Sequence, residues 1–404
     1  MTGESWTTES VVNCLLPVSV AGKTKVQARD YKSTGRFPVI DQGQEQIAGW
    51  TDDESAVVES PLPLVVFGDH TRTFKFLDVP FARGADGTQL LRSKPGIDPL
   101  FFFYACRAID LPARGYNRHF TILKEKELSY PVADNEQKAI AAVLRQTESA
   151  LSHQSALLET LHELKRAAMA RLFTRGLRGE ARQETEVGLV PESWEVAALS
   201  EVATLERGRF THRPRNEPRF YGGTTPFIQT GDVVRSAGYI NKFSQTLNGQ
   251  GVAISRVFNA GTILITIAAN IGYSGILEFD AACPDSLVAI TPSEKLSNLY
   301  LNYYLQTQQP KMDQEAPKGT QKNINIQFLS PWPVPVPSCD EQREIVAVLD
   351  ALDRKIALHR EKRAVLEGLF QSLLRKLMIG EIRATDLDLS AVSAAPEQVT
   401  EATA

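Results

Sequence analysis

The densest run of chemically capable side chains lies between Glu206 and Phe220, where the chain reads ERGRFTHRPRNEPRF. Arg207, Arg209, Arg213, Arg215 and Arg219 stand there with His212 and Asn216, among a glycine and prolines. A guanidinium can pair bidentately with guanine O6 and N7 or clamp a phosphate, and a loop exposes it for either use. A merely solvated charged loop would have a similar composition. Earlier, GDHTRTFKF offers His70, Arg72 and Lys75, and ARGYNRHF offers Arg114, Tyr116, Asn117, Arg118 and His119. Asparagine suits adenine N6 and N7, and tyrosine suits phosphate or sugar. A β-turn fixing a domain edge would use the same groups.

Other chemistries find little support. AGKT at Ala21–Thr24 has the ending of a phosphate-binding loop, but Pro17 stands where that motif needs glycine. FGDHTR could place Asp69 and His70 on a metal, as in a metal-dependent phosphoesterase. That rival needs a second cluster of carboxylates and histidines, and the six histidines are scattered. The sequence has no Asn-Pro-Pro-aromatic run, no helicase motif and no GxSxG elbow. Binding is therefore expected rather than catalysis.

The elements that must carry these loops are written twice. EQKAIAAVL at Glu136–Leu144 returns as EQREIVAVL at Glu341–Leu349, an offset of 205. From Ile345 an a/d seam runs through Leu349, Leu352, Ile356, His359, Arg363, Leu366, Phe370, Leu373 and Leu377. Its counterpart runs Ile140, Leu144, Thr147, Leu151, Gln154, Leu158, Leu161, Lys165, Ala168 and Leu172. The residue types predict a capping box at each start, Asp134 with Gln137 and Ser338 with Glu341. Glycine-based stops are predicted at Gly179-Glu180 and Gly380-Glu381. Two helices of about 40 residues follow, each roughly 60 Å long. A narrow seam on such a helix needs a partner, and a second copy of the chain would serve. The internal duplicate can serve within one chain.

The sequence before each helix also repeats. PVIDQGQEQIAGW (Pro38–Trp50) matches PFIQTGDVVRSAGY (Pro226–Tyr239), with Gly43 against Gly231, and further on Asp86 falls against Asp285. Short β-rich runs such as LPLVVF and AGTILITIA alternate with turn residues and helical intervals. The expected fold is α+β: two pseudo-repeated mixed domains separated by two long antiparallel coiled-coil helices. The expected boundaries are 1–132 and 181–337 for the domains, 133–180 and 338–383 for the helices, and 384–404 for a disordered tail.

The totals agree with globular domains: 404 residues, 43% hydrophobic and 23% charged. Four cysteines without a CxxC pair argue against a zinc site and a disulfide framework. No apolar run reaches membrane-spanning length, and MTGESWTTES lacks the parts of a signal peptide, so a cytoplasmic location is expected. A net charge of −4 gives no global attraction to phosphate, so any nucleic-acid contact must come from local patches or from partners.

This plan resembles the specificity subunits of type I restriction-modification systems. The resemblance rests on VPESWEVAALSEVATLERG, PFIQTGDV, AGTILIT, CPDS, GTQKNIN and PVPVPSCDEQREI in the second half. In the first half it rests on STGRFPVIDQG, FGDHTRTFKF, PFARGADG, GYNRHF and the helix opening at Glu136. It implies two target-recognition domains, each reading one half of a split sequence in double-stranded DNA, with the helices as a ruler. It implies a non-catalytic chain whose partners are methyltransferase subunits, expected as two, and restriction-translocation subunits. S-adenosylmethionine, ATP and magnesium would be bound by those partners and no cofactor by this chain. The rival from another class is a structural coiled-coil adaptor that organises partners without reading DNA.

Overall fold

A computed structural model describes residues 6–84, 87–112, 119–317 and 322–390. The chain divides into two compact units, one of residues 1–156 with 360–404 and one of residues 157–359. The two long helices are present as Asp134–Arg175 and Cys339–Met378. Each is divided between the units.

The reason lies in what covers the seam. In the first unit Ile140 and Leu144 share one core with Phe370, Leu373 and Leu377, and that core also holds Phe101, Phe102 and Tyr104. In the second unit Leu158 and Leu161 meet Ile356, while Leu172 and Phe173 join the core that contains Ile345 and Leu349. The start of one helix thus lies beside the end of the other, and the two run antiparallel. Polar seam positions differ in fate: Thr147 is fully buried and returns its hydroxyl to the Val143 carbonyl, whereas Arg363 is exposed. Lys165 donates to Asp353 at 2.6 Å across the pair.

Each unit is built on two sheets of matching order, the first antiparallel in its four shared strands and the second mixed. In the first unit one sheet runs Leu15–Leu16, Thr88–Ser93, Leu64–Gly68, Phe74–Leu77. The other runs Gly49–Thr51, Phe37–Ile40, Phe81–Arg83, Val57–Val58. In the second unit the corresponding strands are Ala203–Arg207, Leu287–Pro292, Ile263–Thr266, Ser274–Leu277, with Tyr239–Ile240 added at the edge. The second sheet there runs Gln245–Leu247, Tyr221–Phe227, Ala281–Ala282, Val257–Phe258. Both second sheets contain one parallel pairing, Val39 with Ala82 and Phe227 with Ala282. The 188-residue offset of Phe227 from Val39 is the one that sets Gly231 against Gly43.

An apolar helix backs each unit. Pro99–Ala108 is capped by the Asp98 carboxylate, which accepts from the Leu100 and Phe101 amides. Asn298–Glu315 follows Ser297 and buries Tyr300, Leu301, Tyr303, Tyr304 and Leu305. The word Glu-Gln that opens each long helix fastens it to this layer. Gln137, fully buried, donates to the carbonyls of Gly96 and Pro131 and accepts from the Asp98 amide. Gln342 donates to the carbonyls of Lys295 and Pro337 and accepts from the Ser297 amide. The capping box expected for Asp134 and Gln137 is therefore not formed by Gln137, whose amide is spent on three other bonds, two of them to groups about 40 residues away. Ser338 does accept from the Glu341 amide at 3.3 Å, but the Glu341 carboxylate takes the Leu177 amide and the Trp194 indole N–H instead.

The first long helix ends on Gly176, not Gly179: φ there is +58°, and an added Cβ would fall 2.6 Å from the Glu341 carboxylate. The second helix ends near Gly380, as expected, at φ +69°. The segment expected to be disordered from 384 begins instead with a turn at Ala384–Asp386, and Ala384, Leu387 and Leu389 pack on the first unit's core. Residues 391–404 lie outside the described residues. Among the described residues no helix is long and apolar enough to cross a membrane.

Candidate nucleic-acid interface

In the second unit the arginine-rich segment follows strand Ala203–Arg207 and is folded back on the turn after Ala281–Ala282. The amides of Gly208 and Arg209 donate to the carbonyls of Leu287 and Cys283, both at 2.9 Å. This brings the arginines over Asp285. Arg213 donates to its carboxylate at 2.9 Å, Arg215 pairs with the other carboxylate oxygen, and Arg207 Nε donates to its carbonyl at 2.7 Å. Arg209 is lashed elsewhere: its guanidinium donates to the Ser255 carbonyl, and the Ser255 hydroxyl donates to the Arg209 carbonyl. Arg219 lies over the Phe220 ring at 4.7 Å and pairs with Glu217, against which His212 also rests.

The segment is thus an ordered comb rather than a loose charged loop. Each guanidinium carries five N–H donors, so one or two bonds to the fold set its direction without exhausting it. Among the described residues Arg207 uses only Nε, and its side chain is exposed. Arg256 pairs with Glu206 beside the comb at 2.9 Å. Four guanidiniums, those of Arg213, Arg215, Arg219 and Arg256, pair with the three carboxylates of Glu206, Glu217 and Asp285, and Arg207 and Arg209 add two more cations, which leaves the edge net positive. Sequence reasoning aligned Asp285 with Asp86 but missed its part in aiming the arginines. The signal available was the CPDS word itself, an acidic residue in a turn far along the chain.

In the first unit the hairpin tip between Leu64–Gly68 and Phe74–Leu77 carries Asp69, His70, Thr71 and Arg72. It is held to Gln42, whose side-chain oxygen accepts the His70 amide at 3.3 Å and whose carbonyl accepts the Thr71 hydroxyl. The Asp69 amide donates to the Gly87 carbonyl, and its carboxylate accepts the Phe120 amide at 2.7 Å. Three sequence words, GDHTRTFKF, PFARGADG and the end of GYNRHF, therefore meet at one edge. Arg72 adopts φ +62° and donates to the Leu111 carbonyl at 2.7 Å. Arg114, Tyr116, Asn117 and Arg118 lie outside the described residues.

One expectation is corrected here. Lys75 is 2% exposed and its ammonium faces Asp41 at 3.7 Å, so it is an interior cation rather than a DNA contact. Burial holds its pKa below the usual lysine value, and the Asp41 charge only partly offsets that. Asp69, the proposed metal ligand of the phosphoesterase rival, is 4% exposed and fastens the chain at Phe120. No group of three or more potential ligands forms among the described residues.

Both units also grip the long helices through tyrosine. Tyr104 donates to Glu148, which Arg107 also contacts while stacking on Phe103 and Phe370. Tyr303 bridges Asp350 and Asp353, each at 2.7 Å, and Tyr239 joins Asp350. Burial, reinforced by Asp350, pushes the Tyr239 phenol up to about 12, so these hydroxyls remain donors to the carboxylates.

Residues 191–368 match the family model of the type I restriction modification DNA specificity domain. The chain is 26% identical over 312 residues to a chain of Methanocaldococcus jannaschii named for the specificity subunit of type I restriction enzyme MjaX, covering 74% of this chain and 72% of that one. It is 22% identical over 346 residues to the EcoR124I/EcoR124II specificity subunit of Escherichia coli, covering 82% and 83%. Its fold is similar to the crystal structure of a type I restriction-modification S subunit from M. genitalium, with a TM-score of 0.62 and 17% identity over 93% of this chain and 97% of that one. The matched domain covers less than half of this chain, and the relatives and the solved fold to which the chain is similar are specificity subunits of type I restriction-modification systems.

Proposed function

We propose that this chain is a non-catalytic DNA-recognition subunit that reads a split target, one half through each unit, and directs partner methyltransferase and restriction chains to it. The observation that carries this reading is the duplication of a complete two-sheet unit, strand for strand, on antiparallel helices of 42 and 40 residues. Two half-sites on one face of duplex DNA call for a ruler between their readers, and that is the role this reading gives to the two long helices. The arginine comb supplies the chemistry in the second unit, with Arg207 as the best-placed side chain for a base edge. The hairpin tip at His70 and Arg72 occupies the reading edge of the first unit.

In this reading two methyltransferase chains join the subunit, S-adenosylmethionine, ATP and magnesium are bound by partner chains, and the assembly works in the cytoplasm. The net charge of −4 is tolerable because partners that surround the duplex supply further phosphate contacts. The adaptor reading draws on one observation: Asp285 and Glu217 neutralise much of the comb. The deciding experiment is an adenine-methylation map in a methylation-free host expressing the partner methyltransferase with and without this chain. A split motif of fixed gap that needs this chain establishes the reading. Co-purification of the two proteins without any motif leaves the adaptor.

A further inference from the structure

The strand-for-strand match assigns a counterpart to the arginine comb that its residue types do not advertise. The comb lies between the strand paired with Leu287–Pro292 and the strand that runs parallel to Ala281–Ala282. In the first unit the segment in that position joins Leu15–Leu16, paired with Thr88–Ser93, to Phe37–Ile40, which runs parallel to Phe81–Arg83. Both segments contain a 3-10 turn before the second strand, Pro218–Phe220 and Ala28–Asp30. Both are tied at the same register point: the Arg209 amide donates to Cys283, and the Val26 amide donates to Arg83, at 2.9 Å in each case. The Arg83 side chain adds a bond to the Lys23 carbonyl at 3.3 Å.

The counterpart segment carries Lys23, Lys25, Arg29, Lys32 and Arg36, with Asp30 as its own carboxylate. Lys32 is held by Asp52 at 2.9 Å and Arg36 by Glu54 at 2.5 Å, beside Phe37. Arg29 is 85% exposed, with Asp30 3.8 Å away. We propose that this segment, through Lys23, Lys25 and Arg29, binds the phosphate backbone of the DNA half-site served by the first unit. The proposal rests on the DNA-recognition reading above. The choice of phosphate follows from side-chain chemistry: a lysine ammonium is a compact, hydrated point charge on a flexible stem, suited to a phosphate and poor at bidentate base readout. The two edges then divide differently, with base-capable arginines in the second unit and positioning lysines in the first.

The test uses the full chain assembled with its partner methyltransferase, and two duplexes, one with the mapped target and one without it. Binding is measured across a potassium chloride series for wild type, for K23Q/K25Q/R29Q and for the charge-retaining K23R/K25R/R29K. Each lost phosphate contact lowers the slope of log affinity against log salt by about 0.9. The expected result is a slope lower by about 2 to 3 for the glutamine variant on both duplexes, with the methylated sequence unchanged and the slope kept in the charge-retaining variant. An unchanged slope in the glutamine variant, with wild-type complex still selecting the target, overturns the proposal and leaves the recognition reading intact. A wild-type complex that binds the target no better than the methyltransferase alone overturns both. Equal thermal midpoints for the three chains exclude misfolding as the source of any loss.

Discussion

The two units agree where they hold the helices and differ where they face outward. Gln137 and Gln342 make the same three bonds to equivalent backbone groups, and Tyr104 and Tyr303 both reach a carboxylate 14 residues after the first residue of a long helix, Glu148 and Asp353. At the outer edge the second unit sets Asp285 beneath arginines, while the first sets Gln42 beneath a hairpin and Arg83 beneath a lysine-bearing segment. A buried amide with three partners is costly to change, because any loss leaves backbone groups unsatisfied away from water. An exposed pair at the edge costs little to exchange. The division teaches that grip and readout are separable in this architecture.

The largest effect is expected at the grip. Gln137→Ala and Gln342→Ala each strand three buried polar groups and should each cost about 3 to 5 kcal/mol. Hydrogen exchange of the Pro99–Ala108 and Asn298–Glu315 amides reports each unit separately, and equal loss in the two is the outcome the comparison requires. A loss confined to one unit would break it. Next come the tyrosines. Tyr303→Phe removes the one O–H that Asp350 and Asp353 share and should cost about 2 to 3 kcal/mol, while Tyr104→Phe removes a bond to one carboxylate and should cost about 1 to 2 kcal/mol. The reverse order in denaturant unfolding would show that Arg107, not the phenol, carries the first unit's grip.

Lys75 sharpens the comparison at smaller scale, since among the described residues it is a buried cation of the first unit without a buried lysine or arginine to match it in the second. Its pKa is lowered by burial, so between that lowered value and the ordinary value near 10.5 the folded chain binds fewer protons than the unfolded chain. Stability should therefore rise with pH through that window, and below it the buried charge costs stability in full. Lys75→Met should be neutral or stabilising by about 1 kcal/mol at pH 7 and should flatten the alkaline rise, measured by unfolding from pH 7 to 11. The smallest effect on stability belongs to Asp285→Asn, within about 0.5 kcal/mol for a partly exposed pair. Its expected consequence is on readout: the methylation map should relax in one half of the target only. A change in both halves would contradict the separation of the two edges.

Much of this architecture was legible beforehand. The seam positions Ile140, Leu144, Ile345 and Leu349 are buried as their four-and-three spacing requires, and the repeated PVIDQG and PFIQTG words occupy equivalent strands. The site was less legible. His70 and Arg72 lie at a hairpin tip and the five arginines on one ordered segment, and their contact with DNA is a proposal. Lys75 was misplaced because strand alternation, which puts it on the interior face, was outweighed by its charge. A side chain three residues along a helix start has a local use as a cap, whereas two of the three partners of Gln137 lie about 40 residues away.

The sequence by itself determined the duplication, the two helix lengths, the α+β class and the presence of basic edges, because each is a matter of period, composition or repeated words along the chain. Only the tertiary structure decided which polar groups grip and which face outward. That choice depends on partners brought together from distant segments, Asp285 beneath Arg213 and Gly96 beside Gln137, and on a strand register that makes Arg83 and Cys283 equivalent. Side chains of the same type become interior fasteners or exposed charges according to the backbone that reaches them.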